Sequence, residues 1–548
     1  MSTLIVVLGG VGLFLLGMTV MTDGLKALAG SALRTVLGKA AATPLSGAFW
    51  GAIVTLLVQS SSATTMTTIG LVSAGLLTFP QGLGLVFGAN VGTTGTGWLV
   101  ALIGLRVSLS AYALPMIFVG ALTKLLGGGR IAAAGGALAG FALVLYGLTT
   151  LQQGMGGLAE SLHPSDLPAV LGAPGVGAIA GSIGLMKLVI VGLAMTAVMQ
   201  SSTAAIAVTL AAYDAGAIGL DQGCALIIGQ NIGTATSSAM AAIGASATAK
   251  RLALAYILFK LIAALIALAA FPLTMPLMRR WQSAVDGLTL LAAYHTAYNV
   301  VGVAVLLPAV DWFTRVVERL LPARESPLRR TLDPAALVTP IVAVEAVRRT
   351  VANVLETLCV SIAASLSGGA KGVIDLEESA GALDEAREFL SELKAPPESG
   401  EESERLTSTL HALEHASRLT EILGEGGAPA PAKGGPDDLR AAELCKTVAR
   451  WGQTVAESIT GETALSERAE PIGWRPSPGA AAALGEIESA AKALDSMQRK
   501  HRAETLAAVA PGELTAIEAF ARIDAARRFD EIAYHVWRSA AHLLGRGE

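Results

Sequence analysis

QSSSATT at residues 59–65 and QSSTAAI at 200–206 are the two stretches on which the fold turns. Each sets amide and hydroxyl side chains in the middle of an apolar segment, 44–78 and 182–218. Each is followed at the same interval by a second motif, GANVGTTGT at 88–96 and GQNIGTATS at 229–237. With Gln59 placed on Gln200 the copies align without a gap, Gln81-Gly82 falling on Gln222-Gly223 and Gly75 on Gly216. Upstream, LFLLGMTVMTDG (13–24) resembles LVLYGLTTLQQG (143–154), so the duplication covers a whole unit.

Working outward, apolar runs at about 4–25, 82–104, 109–127, 131–156, 221–245, 252–277 and 288–310 are long enough to cross a bilayer, for which ~20 residues suffice. The two QSS segments are too short for two crossings each and are broken in the middle. They read as re-entrant hairpins, since irregular backbone at membrane depth survives only where protein or a water-filled cavity surrounds it. With hairpins that do not cross, repeat one (about 4–127) has three crossings, so repeat two (about 131–277) is inverted and 288–310 is an extra helix. The expected fold is an all-α polytopic membrane protein with two inverted repeats, re-entrant hairpins and broken helices, followed by a soluble C-terminal helical bundle. Inverted repeats with broken helices are the plan of secondary transporters.

Composition divides the chain in the same place. It is 53% apolar and 15% charged over 548 residues, against roughly 25% charged in an ordinary soluble protein. Residues 1–312 carry 12 Lys/Arg and 7 Asp/Glu, and residues 313–548 hold the rest of the 39 Lys/Arg and 43 Asp/Glu. We expect a transmembrane domain over 1–312, a linker over 313–334 and a cytoplasmic helical domain over 335–548. Nothing in the charge balance suggests a nucleic-acid partner. Cys224, Cys359 and Cys445 have no disulfide or zinc spacing. The apolar N-terminal stretch has no basic lead and reads as a retained membrane helix. With the tail inside, Lys26, Arg34, Lys39, Arg130, Lys250 and Arg251 fall on inside loops, as the positive-inside rule prefers. Arg106, Arg279 and Arg280 fall outside, against it, alongside Glu160, His163 and Asp166.

Residues 51–100 lack any Asp, Glu, Lys, Arg or His, yet hold Gln59, Ser60, Ser61, Ser62, Thr64, Thr65, Asn90, Thr93 and Thr94. A neutral site of this kind favours an anion at half-helix N-termini and a hard cation such as sodium on hydroxyl, amide and carbonyl oxygens. Single Ser, Thr and Gly residues in membrane helices mostly serve packing. Packing alone does not require QSS and GxNxGT at one spacing in both halves.

These residues resemble the type II sodium/phosphate cotransporters and their bacterial relatives, which have a QSSS hairpin tip and a GANxGT segment in each of two inverted repeats. The resemblance covers about residues 4–310. It implies sodium-coupled transport of inorganic phosphate by alternating access in the cell inner membrane, with no enzymatic activity. It further implies that Gln59, Ser60, Ser61, Ser62 and Thr64 with Gln200, Ser201, Ser202 and Thr203 line the phosphate and sodium sites, supported by Asn90, Thr93, Asn231 and Thr234. HTAYN (295–299) is similar to the family's HTxFN and adds His295, Thr296 and Asn299. Thr203 and Gln230 depart from the usual Ser and Ala, and Leu105-Arg106-Val107 lacks the Asp of electrogenic members. A phosphate exporter or a membrane phosphate sensor would use the same site. A primary pump is disfavoured because no nucleotide-binding P-loop is present. Lys187 and Lys260 lie in apolar stretches, where snorkelling is the simplest account, with attraction of phosphate as the alternative. A dimer is compatible with the sequence.

The tail has helical periodicity with Pro/Gly-rich breaks at 395–402, 424–438 and 473–479. HALEHASRLTEIL (411–423) and RIDAARRFDEIAYHVWRSA (522–540) resemble the acidic helical repeats of PhoU-like regulatory domains. That resemblance makes Glu414, Asp524 and Asp530 candidate divalent-metal ligands, a solvated charged face being the alternative.

Overall fold

The computed structural model describes residues 3–40, 42–104, 110–160, 163–173, 175–243, 245–322, 328–367, 376–393, 396–397, 399–426, 436–461 and 476–547. Leu105-Arg106-Val107, linker residues 323–327 and, in the Pro/Gly-rich tail breaks, residues 395, 398, 427–435 and 473–475 lie outside them. Among the described residues every regular element is a helix. The chain divides into two compact units, one of 1–68, 78–245 and 249–322, the other of 69–77, 246–248 and 323–548.

The helices of the first part are α1 (Thr3–Ala40), α2 (Pro44–Val58), α3 (Ser61–Ser73), α4 (Phe79–Thr93), α5 (Gly95–Leu99), α6 (Ser110–Leu126), α7 (Gly129–Ala159), α8 (Ala178–Met199), α9 (Ser202–Asp214), α10 (Leu220–Gly233), α11 (Ala235–Ala241), α12 (Ala247–Trp281), α13 (Gly287–Leu306) and α14 (Val310–Leu320). Seven helices among the described residues are long and apolar enough to cross a membrane. Five overlap expected crossings: Thr3–Ala29, Phe79–Leu102, within which α4 and α5 meet at Thr94, Gly129–Ala159, Ala247–Trp281 and Gly287–Leu306. The membership otherwise differs. The 109–127 stretch contributes only a shorter apolar helix, Tyr112–Leu126. The 221–245 run is interrupted where α10 ends and α11 begins, at Thr234. Conversely, α8, the first arm of the second hairpin, is not among the expected crossings and is long enough to cross, while the second arm, α9, has 13 residues. The seventh, Pro340–Leu366, lies in the tail. Lys26, expected on a loop, lies within α1, which continues to Ala40.

Close helix contact is made by glycines at repeating intervals. On α1, Gly10, Gly17 and Gly24 recur at heptad spacing, and on α7 so do Gly140, Gly147 and Gly154. A heptad period keeps one stripe of each helix facing the other. A side-chain carbon on Gly17 would collide with the backbone of Val144, one on Gly140 with Met21, and one on Gly147 with Phe14. Between membrane helices, where lipid is as apolar as Leu, such backbone contact drives association. The two repeats use one packing scheme. A carbon added to Gly51 would overlap the carbonyl of Leu85, and one on its repeat equivalent Gly192 that of Leu226. Gly88 against Ala48 is matched in the same way by Gly229 against Val189.

The second unit holds α15 (Pro340–Leu366), α16 (Leu376–Ser391), α17 (Gly400–Gly426), α18 (Pro436–Gly461), α19 (Pro478–Ala507) and α20 (Ala516–Leu543), with α15 against α16, α17 and α18, and α19 and α20 completing the group. Inside α15 the buried Glu345 carboxylate is shared by Arg348 and Arg349, each at 3.0 Å. Buried Asp333 accepts hydrogen bonds from Ser73 Oγ (3.0 Å), from Ser246 Oγ and from the amide of Ala335 (2.8 Å). The metal expectation for the tail finds no support among the described residues. Among the described residues no group of three or more His, Cys, Asp or Glu is placed to hold an ion. Asp524 and Asp530 are both on α20, at an interval that turns them to different directions at about 100° per residue. Glu414 approaches His411 (3.7 Å) and Asp524 approaches Arg527 (3.7 Å).

What α17 and α20 do bring together is four histidines. His415 Nδ1 lies 3.0 Å from His535 Nδ1, and the His542 ring stacks on those of His411 and His415. Burial, then His535, His542 and Arg538, pushes His415 down to about 4; burial, then Arg538 and His411, pushes His542 down to about 4.

Gly17→Val and Gly147→Val should each destabilise the purified protein by about 1–3 kcal/mol through overpacking. Gly12→Val, whose added side chain meets open space, should not lower the melting temperature. In the tail, folding disfavours the charged histidines, so stability is full above the ordinary histidine pKa near ~6.5 and is lost as pH falls toward about 4. Asp530, pushed up to about 6 chiefly by burial, acts in the opposite sense, so the comparison is made against His415→Gln. Hydrogen exchange across 400–426 and 516–543 in the full-length protein, corrected for intrinsic rate, should accelerate from pH 7 to 5 more in wild type than in His415→Gln.

Candidate functional site

Each QSS motif breaks its apolar segment at a single residue. Gln59, between α2 and α3, has φ 58° and ψ 30°, and Gln200, between α8 and α9, has φ 52° and ψ 24°. Among the described residues they are the only non-glycine positions with positive φ. For an L-residue this conformation costs about 1–2 kcal/mol, and the side chains show what offsets it. Gln59 Nε2 donates to Leu56 O and Gln200 Nε2 to Ala197 O, both at 2.5 Å, satisfying carbonyls that a helix end leaves open. Gln59 Oε1 accepts from Thr96 Oγ1 and Gln200 Oε1 from Ser237 Oγ, both at 2.7 Å. The next residue caps the second arm: Ser60 Oγ accepts from Ala63 N and Ser201 Oγ from Ala204 N, both at 3.2 Å. Every one of these bonds recurs between equivalent residues of the two repeats. Thr96 and Ser237, which lock the two tips, close the two longer motifs; their place in the repeat is the signal that could have found them.

The halves are not identical. In the first hairpin Thr55 Oγ1 donates to Thr64 Oγ1 across the arms at 2.8 Å. The equivalent pair in the second is Thr196 and Ala205, which cannot make that bond. There Gln230, standing where the first half has Ala89, ties α10 to α9 through Thr209 Oγ1 (2.7 Å) and Ala205 O (3.0 Å). The departure at Gln230 is thus a replacement brace.

α13 joins the two halves. Thr296 Oγ1 lies 3.0 Å from Thr94 Oγ1 and accepts from Trp98 Nε1 at 2.9 Å, both in the first half. Asn299 Oδ1 accepts from Asn231 Nδ2 (3.2 Å) in the second, while Asn299 Nδ2 donates to His295 O (2.8 Å). Thr296 and Asn299, three apart, share one face of the helix. His295 is buried beside Gly97, and its Nδ1 has no hydrogen-bond partner among the described residues. Tyr256 of α12 is buried, with Lys260 Nζ of the same helix 5.2 Å from its ring centroid.

Of the expected residues, Asn90, Asn231, Asn299, Thr64 and Ser202 are buried, while Ser62 and Gln200 are exposed. Thr93 and Thr234 bond backbone carbonyls of their own helices, at 2.8 and 2.7 Å, and Thr203 Oγ1 lies 3.0 Å from Ser201 Oγ. The nearest carboxylates in sequence are engaged elsewhere, Asp214 by Gln152 (3.0 Å) and Asp221 by Arg279. The arrangement offers neutral oxygens and two capped helix N-termini, suited to cations and to an anion respectively. Sequence reasoning does not place Trp98 or Tyr256 at the site, because no motif marks them.

Residues 13–153 and 183–293 match the Na+/Pi-cotransporter family model. Both QSS tips and both GxNxGT segments fall inside, while HTAYN and the tail fall outside. Among relatives, the uncharacterized protein YqeW of Bacillus subtilis is 26% identical over 311 residues, 57% of this chain and 96% of that protein. The putative inorganic phosphate export protein YjbB of Escherichia coli is 31% identical over 353 residues, 63% of this chain and 61% of that protein. The human sodium-dependent phosphate transport protein 2B is 33% identical over 101 residues, 18% of this chain and 15% of that protein. The chain thus spans about three fifths of YjbB. No solved structure gives a significant match.

The left-handed backbone can be tested by itself. Gln→Ala keeps the conformational cost and loses the side-chain bonds, whereas Gln→Gly loses the same bonds and removes the cost. Gln59→Gly should therefore exceed Gln59→Ala in stability by about 1 kcal/mol, and the Gln200 pair should differ alike. A pair in which Ala is as stable as Gly would mean that the position is not left-handed.

Proposed function

We propose that this chain is a member of the Na+/Pi-cotransporter family and a sodium-coupled secondary transporter of inorganic phosphate, working by alternating access between two inverted repeats whose QSS tips hold the substrate. The observation that carries the reading is the pair of left-handed glutamines, locked by Thr96 and Ser237 and followed by capped helices in both halves. Strained backbone held by its surroundings clusters at functional sites. At a helix N-terminus the free amides and the dipole favour an anion, so the starts of α3 and α9 receive phosphate in this reading. Gln59, Ser60, Ser61 and Ser62 with Gln200, Ser201, Ser202 and Thr203 surround it. Asn90, Thr93, Thr296 and Asn299 supply neutral oxygens for sodium, and Asn231 and Thr234 hold the equivalent place in the second half. Proton coupling generally uses an intramembrane carboxylate or histidine; among the described residues His295 is the one such group at the site, and sodium fits the oxygen set better.

The export reading draws on the name of the YjbB relative. Import and export share one site, and direction is set by the gradients. The tail, outside the family match, is read as a cytoplasmic PhoU-like regulatory bundle. Phosphate flux in proteoliposomes under imposed sodium gradients of either sign tests the coupling, and full flux in sodium-free buffer under a proton gradient would refute it.

The tips are tested by Gln59→Glu and Gln200→Glu, which change charge at nearly constant shape. A carboxylate some ~4 Å from a phosphate repels it by several kcal/mol at an intermediate effective dielectric. Phosphate affinity at neutral pH should therefore collapse in either folded variant and recover in part as acid protonates the new carboxylate, relative to the wild-type profile. Gln→Leu controls, with protein level and melting temperature, separate lost binding from lost folding. Unchanged affinity in both folded Glu variants would remove the tips from the anion site.

A further inference from the structure

Lys260 stands near the middle of α12, 2% exposed, in a helix long and apolar enough to cross the membrane. A buried ammonium is costly unless paired, and among the described residues no carboxylate forms an ion pair with it. Its Nζ instead donates to Asn231 Oδ1 of GQNIGT and lies 5.2 Å from the centroid of the Tyr256 ring. An amide oxygen and an aromatic face are neutral groups that hold a cation by their local charge distribution. Asn231 is itself fixed, its Nδ2 donating to Asn299 Oδ1 at 3.2 Å.

The first half shows the same position without the ammonium. Asn90, the repeat equivalent of Asn231, is 1% exposed and donates through Nδ2 to Val86 O (3.1 Å), but its Oδ1 accepts no hydrogen bond from any described residue. Equivalent amide oxygens thus differ in one respect: that of Asn231 is taken by a cation belonging to the chain, and that of Asn90 is a buried acceptor left open.

We propose that Lys260 is a tethered cation that substitutes for a transported sodium ion at Asn231, so that mobile sodium is bound on the Asn90 side alone and the cycle moves fewer sodium ions than two equivalent halves would. The inference rests on the sodium-coupled reading above and sets the asymmetry of that same site. Lys260 then balances charge when phosphate enters without itself crossing the membrane.

Wild type, Lys260→Met, Lys260→Gln and Lys260→Arg are reconstituted at full length, and the ratio of labelled sodium to labelled phosphate taken up is measured with the sodium dependence of flux. The neutral variants should carry one more sodium ion per phosphate and show steeper sodium activation, while Lys260→Arg keeps the wild-type ratio. An unchanged ratio overturns the proposal: with weakened phosphate affinity at saturating sodium it would make Lys260 an anion ligand, and with unchanged affinity a bystander. Neutral variants that fold only in sodium-rich buffer would support it; neutral variants that unfold whatever the sodium, beside a folded Lys260→Arg, would make the group structural and the proposal wrong. Should wild type move phosphate with no sodium at all, the coupling reading fails by itself. The tethered-cation reading then stands only if the neutral variants acquire a sodium dependence.

Discussion

A backbone interrupted within a membrane segment must find partners for the groups it frees, because hydrocarbon supplies none. The rest of the membrane part is arranged around that constraint. Gln59 and Gln200 meet it with one side chain each: the amide nitrogen returns to a carbonyl of the ending helix, and the amide oxygen is held by a hydroxyl across the interruption, from Thr96 or Ser237. A shorter side chain could not reach both ways. Glycine would accept the left-handed conformation with less strain and would leave the groups unpaired.

Holding those side chains in place requires helices in close approach, and small residues make that possible. Gly88 and Gly229 bring α4 and α10 against the backbone carbonyls of α2 and α8, which fixes where the GxNxGT segments sit relative to the tips. Gly17, Gly140 and Gly147 do the same for α1 and α7. Apolar bulk alone would not fix these positions, since lipid offers equivalent contacts. α13, outside both repeats, then ties them through Thr296 and Asn299 on one helical face.

Duplication gives the two halves one geometry but not one chemistry. The Thr55–Thr64 bond of the first hairpin has no counterpart, and Gln230 braces the second hairpin from a different helix. Asn90 and Asn231 occupy equivalent places with different surroundings, an open acceptor in one and an ammonium in the other. A site with unequal halves can bind unlike species on its two sides, which is what a cation and an oxyanion require.

Much of this was legible in the sequence because duplication repeats a signal that packing noise would blur. The constant register between the halves identified both tips, both GxNxGT segments and the glycines between them, and apolar length located five of the seven helices long and apolar enough to cross a membrane. Length was a poor guide where the chain breaks a long apolar run, as at Thr234, and where a hairpin arm is itself long enough to cross, as in α8. Hydropathy counts residues and does not register the hydrogen bonds that end a helix. The tail's charged helices suggested a metal set that the described residues do not assemble, and gave no sign of the four-histidine cluster, whose members come from two helices far apart in the chain. Lys260 marks the same boundary. The sequence by itself determined that a lysine lies in an apolar stretch, for which snorkelling is the ordinary account. Only the tertiary structure decided that it is buried against Asn231, because which groups an ammonium meets depends on how α10 and α12 are packed, and no local pattern encodes that.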